Sequence, residues 1–161
     1  MACTNGRMIR FNEVEIRNMG RTASGVRGID VGDGKVVDCE ICKADQEILV
    51  VTENGYGKKT PVEQYRITHR GSKGVKALNT TEKNGNIVSF KAVNGDEDLI
   101  IVTDSGIIIR LSLEQVSSTG RVSQGVKLIN LKKEQKVSTV SILQKSEEEI
   151  KDENEEEKIN E

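Results

Sequence analysis

Basic side chains recur in this sequence at a nearly constant spacing of 49 and 51 residues, in three rows of three. The Arg10 row is Arg10, Lys59 and Arg110; the Arg21 row is Arg21, Arg70 and Arg121; the Arg27 row is Arg27, Lys76 and Lys127. Lysine and arginine bind phosphate oxygens whatever the base sequence. If successive units are related by a steady rotation, each row becomes an arc of charge that fits the backbone of a bent duplex. We therefore expect these nine residues, together with Lys73, to contact duplex DNA.

A second explanation of the rows is that they form ion pairs between neighbouring units. Glutamates are available as partners, namely Glu13, Glu15, Glu63 and Glu114. This alternative is stronger for the Arg21 row than for the Arg27 row, whose members follow a Gly-Val pair and look exposed. Both explanations stay open at the level of the sequence.

The densest basic loop is Arg70-Gly71-Ser72-Lys73-Gly74, with Arg66 and Lys76 beside it. Two glycines let a backbone approach a phosphate closely and leave N–H groups free to bind it. The loop lacks the spacing of a nucleotide-binding P-loop, G-x-x-x-x-G-K-[ST]. The alternative is an ordinary tight turn.

Cys39 and Cys42 form a C-x-x-C pair, which can indicate zinc or redox chemistry. They lie in a strand-like segment, where positions three apart point to opposite faces. A structural zinc site needs four ligands, and Cys3 and His69 are the other candidates. We therefore expect buried or half-buried thiols, no metal and no cofactor. No nucleophile–base pair or other catalytic constellation is recognisable, so we expect no enzymatic activity from the chain alone.

The elements that must position these side chains are repeated strands. The markers Gly25-Val26, Gly74-Val75 and Gly125-Val126 share the spacing of the basic rows, as do Asn5-Gly6, Asn54-Gly55 and Ser105-Gly106. The repeat defines three units, at about 1–45, 46–96 and 97–143.

Each unit is expected to contain four strands, which is typical of a propeller blade. Short β-branched runs such as 48–52 and 99–103 predict buried lead-in strands. Asn-Gly favours a type I′ hairpin turn, in which both central residues have positive φ. A second strand follows the turn, a short strand follows Gly-Val (26–29 in the first unit), and a last strand closes the unit (86–93 in the second). The predicted fold is all-β, with three blades.

Three blades do not close a propeller, which usually needs four to eight. The first unit also begins almost at its Asn-Gly turn. The sequence thus indicates a piece of a longer protein, and the alternative is that copies of the chain complete one another by self-association.

Charge divides the chain into a basic body and an acidic C-terminal segment. The whole sequence has a formal net charge of −2, while residues 145–161 contain nine acidic residues and three lysines. We expect residues 144–161 to be a disordered tail. The sequence has no apolar run long enough for a membrane span and no visible secretory signal, so a cytoplasmic location is expected.

The segments RFNEVEIRNMGRTASGVRGI, TENGYGKKTPVEQYRITHRGSKGVKAL and TDSGIIIRLSLEQVSSTGRVSQGVKLI resemble the last three blades of the C-terminal domain of the bacterial DNA gyrase A subunit. The resemblance covers roughly residues 1–143. It implies a six-bladed β-pinwheel, of which three blades are present, with strands exchanged between neighbouring blades. It also implies a function, which is to wrap duplex DNA and so support negative supercoiling by the intact enzyme.

In that family the enzyme is an ATP-dependent type II topoisomerase of the bacterial cytoplasm and nucleoid. The resemblance implies that the rest of the gyrase A subunit, with its cleavage tyrosine, and the gyrase B subunit, with its ATPase, are partners. The family's Q-R-R-G-G-K-G box lies in the first blade, and residues 68–74 are a degenerate echo of it. This departure predicts weak duplex binding and little bending by the chain alone. The alternatives are the equivalent domain of topoisomerase IV and a protein-interaction propeller.

Overall fold

The computed structural model describes residues 1–145, and these fold into three antiparallel sheets joined by turns. The part of the predicted acidic tail from residue 146 onward lies outside the described residues. The strands are β1 (Ala2–Cys3), β2 (Arg7–Met8), β3 (Val36–Asp38), β4 (Glu47–Thr52), β5 (Tyr56–Pro61), β6 (Val75–Lys76), β7 (Ile87–Val93), β8 (Asp98–Thr103), β9 (Ile108–Ser112), β10 (Val126–Lys127) and β11 (Val137–Leu143). The all-β prediction is confirmed. Single 3-10 turns follow β2, β5 and β9.

The sheets share one antiparallel order, and in the first two sheets an outermost strand comes from the following unit. The sheet orders are β3-β1-β2-β6, β10-β5-β4-β7 and β11-β8-β9. Val75 lies opposite Met8 and Val126 lies opposite Gly57, so each Gly-Val strand is added to the preceding blade. Strand exchange between blades, which the resemblance implied, is therefore present.

The four strands expected in each unit are present in the second unit (β4 to β7) and in the third (β8 to β11), whereas the first unit has three. The predicted strand at 26–29 is not formed, because no preceding sheet is present among residues 1–145 to pair with it. A two-residue strand has backbone groups that only a neighbouring strand can satisfy, so its existence depends on that neighbour. The third sheet has three strands instead of four, because no following unit among residues 1–145 supplies the fourth.

The hairpin turns differ from the predicted type I′. Gly6, Gly55 and Gly106 have φ values of 81°, 78° and 81°, but the residues before them do not have positive φ. The amide of Gly55 donates to the carbonyl of Thr52 at 3.0 Å. This is a type I turn closed by a glycine in the left-handed region, the pattern of three-residue hairpin loops.

The hydrophobic cores lie between neighbouring sheets. Ile48 and Val50 pack on the first sheet, while Leu49 and Val51 face the third, so both faces of β4 are buried. Successive side chains of a strand alternate between faces, which explains why β4 is apolar throughout rather than in every second position. The middle blade is thus packed against a neighbouring sheet on each side.

Candidate nucleic-acid interface

The side chains of the Arg27 row are the most accessible of the three rows. Arg27, Lys76 and Lys127 are all exposed, and Lys76 and Lys127 lie on the outermost strands of the first two sheets. The ammonium of Lys76 donates to Oδ1 of Asn79 at 3.1 Å, which leaves further N–H groups for a phosphate. This row therefore offers positive charge at an equivalent position in each unit.

Neighbouring residues extend the charge of the Arg27 row. Arg7, which sequence reasoning missed, is exposed and lies opposite Lys76 across the β2–β6 pair. Lys127 lies opposite Tyr56 in the β5–β10 pair. The Nζ atoms of Lys83 and Lys127 lie 5.4 Å and 6.0 Å from the centroid of the Tyr56 ring. The signal that could have revealed Arg7 is its position directly after the Asn-Gly turn, but the other units have Tyr56 and Ile107 there.

Two members of the Arg21 row are engaged with the backbone of the neighbouring unit. Arg70 donates from Nη1 to the carbonyl of Arg27 and from Nε to the carbonyl of Glu15, each at 3.1 Å. Arg121 donates from Nη1 to the carbonyl of Lys76 at 2.6 Å. Arg21 is exposed. These contacts give Arg70 and Arg121 a structural role in joining units, through backbone carbonyls and not through the ion pairs with glutamates that the alternative named.

The Arg10 row makes comparable contacts. Arg10 donates from Nη1 to the carbonyls of Val62 at 3.0 Å and Tyr65 at 3.2 Å. Lys59 Nζ lies 3.3 Å from Glu47 Oε2, and the Lys59 side chain is only 9% exposed. Arg110 pairs with Asp98. A phosphate would have to displace these partners, which makes the row less favourable than the Arg27 row.

The Arg70–Gly74 loop is shaped by strand exchange. The amide of Gly71 donates to the carbonyl of Gly28 at 2.6 Å, so it is not free for a phosphate. Gly74 has a φ of 66°, and a Cβ placed there would lie 2.2 Å from the carbonyl oxygen of Met8. Gly74 is thus explained by close packing on β2, whereas Gly71 contacts Arg27 and Gly28 of the first unit. Lys73 is exposed in this loop and adds to the surface of the Arg27 row.

Lys58, a second residue that sequence reasoning missed, is fully buried. Its ammonium donates to the carbonyls of Gly120 at 2.8 Å and Arg121 at 2.6 Å, which pins the third unit's loop to the second sheet. Burial, and secondarily the charge of Arg121, lower the pKa of Lys58 to about 8. Ile9 and Ile109 occupy the equivalent positions in the other two units. A lysine at a position that is otherwise isoleucine is the sequence signal that could have revealed Lys58.

Other titratable groups form local structure. Lys91 is hydrogen-bonded to Asp38 at 2.6 Å and Glu40 at 2.7 Å, and these bonds raise the pKa of Lys91.

Cys39 is exposed rather than buried or half-buried, because it follows β3 and is not within it; Cys42 is half-buried. Residues 1–145 contain no group of three or more His, Cys, Asp or Glu side chains placed to hold a metal ion. Nor do these residues form a helix with the length and hydrophobicity needed to cross a membrane.

Known proteins similar to this chain agree on one family. The model of the DNA gyrase C-terminal domain, a β-propeller, matches residues 4–43, 46–94 and 97–144. The DNA gyrase A subunit of Staphylococcus aureus (strain MRSA252) is 50% identical over 153 residues, which cover 93% of this chain and 17% of that protein. The DNA gyrase A subunit of Staphylococcus epidermidis (strain ATCC 12228) is 50% identical over 83% of the chain and 15% of that protein. The chain thus spans about a sixth of the length of these relatives.

Solved structures show the same fold. A DNA gyrase A C-terminal domain superposes with a TM-score of 0.76 at 26% identity, covering 88% of this chain and 48% of that one. The C-terminal domain of a DNA topoisomerase IV superposes with a TM-score of 0.77 at 21% identity, covering 88% and 45%. Because the family model matches all three repeated units, the chain belongs to the DNA gyrase A C-terminal domain family.

Proposed function

We propose that this chain is a non-catalytic module that binds and wraps duplex DNA without sequence specificity, as part of a DNA gyrase. The observation that carries the proposal is the Arg27 row, with one exposed cation per unit at an equivalent place. Lys73 and Arg7 add exposed charge beside it. Together these five side chains supply phosphate contacts, which need no base recognition.

The finer roles follow from the family and rest on the same surface. In a complete gyrase the module would hold DNA while the rest of the A subunit and the B subunit carry out cleavage, strand passage and ATP hydrolysis, supporting negative supercoiling in the bacterial cytoplasm and nucleoid. Fold likeness alone does not separate gyrase from topoisomerase IV. The 50% identity to gyrase A subunits favours gyrase. The ten residues predicted from the sequence remain candidates for DNA binding. The Arg27 row and Lys73 are the strongest of them, because all four of these side chains are exposed to solvent.

Salt-dependent binding tests the proposal. Duplex affinity is measured by fluorescence anisotropy from 50 to 200 mM salt, for the wild type and for a variant with Arg27, Lys73, Lys76 and Lys127 changed to Gln. Five phosphate contacts give a slope of log affinity against log salt of about −4.5, which is about a 500-fold loss of affinity over this range. The variant should bind much more weakly, and its slope should fall to about −0.9 because only Arg7 remains.

A control variant with the same charge change separates this surface from net charge. It carries Gln at Lys35, Lys43, Lys132 and Lys133, which are exposed lysines in other turns of the units. The control should keep most of the wild-type slope. Equal losses in the two variants, or wild-type binding that is insensitive to salt, would contradict the proposal and favour a protein partner.

A further inference from the structure

The outer edges of the first two sheets each hold a pair of cations, and the two pairs are built differently. In the first sheet Arg7 lies directly opposite Lys76 across the β2–β6 pair. In the second sheet Tyr56 takes the place of Arg7 and lies opposite Lys127. The second cation of that edge is Lys83, which belongs to the turn between β6 and β7 and has its Nζ 5.4 Å from the centroid of the Tyr56 ring.

The charges of these two pairs are not neutralised within the chain. Like charges at directly opposite positions of an antiparallel pair repel each other. Asp33 lies within electrostatic range of Arg7, but its Oδ1 accepts a hydrogen bond from Asn5 at 2.8 Å. Among residues 1–145, no ion pair with a carboxylate is formed by any of the four cations, which are Arg7, Lys76, Lys83 and Lys127. An anion that bridges each pair would therefore remove a repulsion.

The Tyr56 ring gathers the two lysines of the second sheet. The face of an aromatic ring attracts an ammonium group within about 6 Å of its centroid. The Nζ atoms of Lys83 and Lys127 lie 5.4 Å and 6.0 Å from the centroid of Tyr56. The ring thus brings together two cations that come from different units. In the first sheet no ring is needed, because strand pairing itself places Arg7 opposite Lys76.

The turn that carries Lys83 is fixed to the hairpin that carries Tyr56. Asn54, which precedes the hairpin glycine, donates from Nδ2 to the carbonyls of Glu82 and Lys83, each at 3.1 Å. Asn84, the next residue along the turn, is buried. The backbone on both sides of the exposed Lys83 side chain is therefore held in place, and the position of Lys83 beside the ring is set by the fold.

We propose that Lys83, Lys127 and Tyr56 form a binding site for a phosphodiester group of duplex DNA on the second blade, equivalent to the site of Arg7 and Lys76 on the first. A phosphate between two cations accepts charge-assisted hydrogen bonds from both. Tyr56 acts as a positioning residue, through its ring and not through its hydroxyl. The inference rests on the proposed function and adds Lys83 to the five contacts assigned there.

The salt dependence of duplex affinity is the first test. With Lys83 as a sixth contact the wild-type slope becomes about −5.4, and Lys83→Gln should make it shallower by about 0.9. Lys133→Gln is the matched control, because Lys133 is exposed in the corresponding turn of the third unit, where Ile107 stands in place of the ring. The control should leave the slope unchanged.

The outcomes of this titration separate the site from the proposed function. Equal slopes for Lys83→Gln and Lys133→Gln, with a steep slope for the wild type, would overturn the site and leave the proposed function standing. Wild-type binding that is insensitive to salt would overturn both.

Substitution of Tyr56 tests the role of the ring. Tyr56→Phe should bind like the wild type, whereas Tyr56→Thr should lower duplex affinity about two- to fivefold, as expected for an exposed cation–aromatic contact. In the Lys83→Gln background the loss from Tyr56→Thr should be smaller, because one of the two lysines is already absent. Equal losses in the two backgrounds would refute positioning of Lys83 by the ring.

Nuclear magnetic resonance of the tyrosine rings locates the contact. The sequence contains two tyrosines, and Tyr65 is an internal reference because it is 1% exposed. With ¹³C-labelled tyrosine, saturating duplex should shift the ring signals of Tyr56 and leave those of Tyr65 in place. Inorganic phosphate at the same phosphate concentration should shift neither. Unshifted Tyr56 signals in the duplex complex, or an equal shift with inorganic phosphate, would contradict a duplex phosphate site at this ring.

Discussion

The buried ammonium of Lys58 predicts an unusual pH dependence of folding stability. Its pKa is lowered from 10.5 to about 8, chiefly by burial. In the unfolded chain the group keeps its proton up to pH 10.5, so above pH 8 the unfolded state binds more protons than the folded state. Stability must therefore rise with pH between these two values. The full shift of the Lys58 pKa corresponds to about 3 kcal/mol in the free energy of unfolding. About 1 kcal/mol of that increase in stability occurs between pH 8 and pH 9.

The assay compares the free energy of urea unfolding of the wild type and Lys58→Met at pH 7, 8 and 9, at one protein concentration. The free energy of unfolding of the wild type, relative to that of the variant, should rise by about 1 kcal/mol from pH 8 to pH 9. Burial raises the pKa of Cys3 and lowers that of the N-terminal amine, so these groups also contribute to the pH dependence, with opposite signs. They are common to both proteins and cancel in the difference.

Lys35→Met, at an exposed lysine, is the control and should show a constant difference from the wild type. The reasoning is refuted if the difference between Lys58→Met and the wild type is also the same at all three pH values. Such a result would mean that Lys58 titrates alike in the folded and unfolded states. Its burial against Gly120 and Arg121 would then carry no electrostatic cost.

Three further predictions follow from charge and close packing. Removing residues 145–161, which carry a net charge of −6, should raise duplex affinity at low salt if the tail competes for the basic surface; unchanged binding argues against that role. Lys76→Ala should make the salt slope shallower by about 1, whereas Lys35→Ala should leave it unchanged in the same titration. Gly74→Ala should cost at least about 1 kcal/mol in urea unfolding, because φ is positive and the Cβ would meet the main chain of β2; Gly20→Ala, which meets nothing, should cost less.

Much of the fold could be predicted from local patterns. The spacing of the Gly-Val pairs defined the units, and the apolar run at 48–52 indicated a strand buried on both faces, as β4 is. These signals are local because hydrophobic alternation and turn residues reflect the conformation of adjacent positions. The prediction of a type I′ turn was wrong, because the Asn-Gly pair is also compatible with a type I turn that is followed by a glycine in the left-handed region.

The sequence by itself determined the repeat, the β-rich units and the candidate cations. Tertiary structure decided which unit each Gly-Val strand completes, since that pairing joins residues such as Val75 and Met8 that are far apart in the chain. It also decided which cations face solvent: Lys76 is exposed, while the equally repeated Lys59 is buried against Glu47. The physical reason is that spacing specifies equivalence between units, whereas burial and hydrogen bonding depend on the neighbouring unit that packs against each residue.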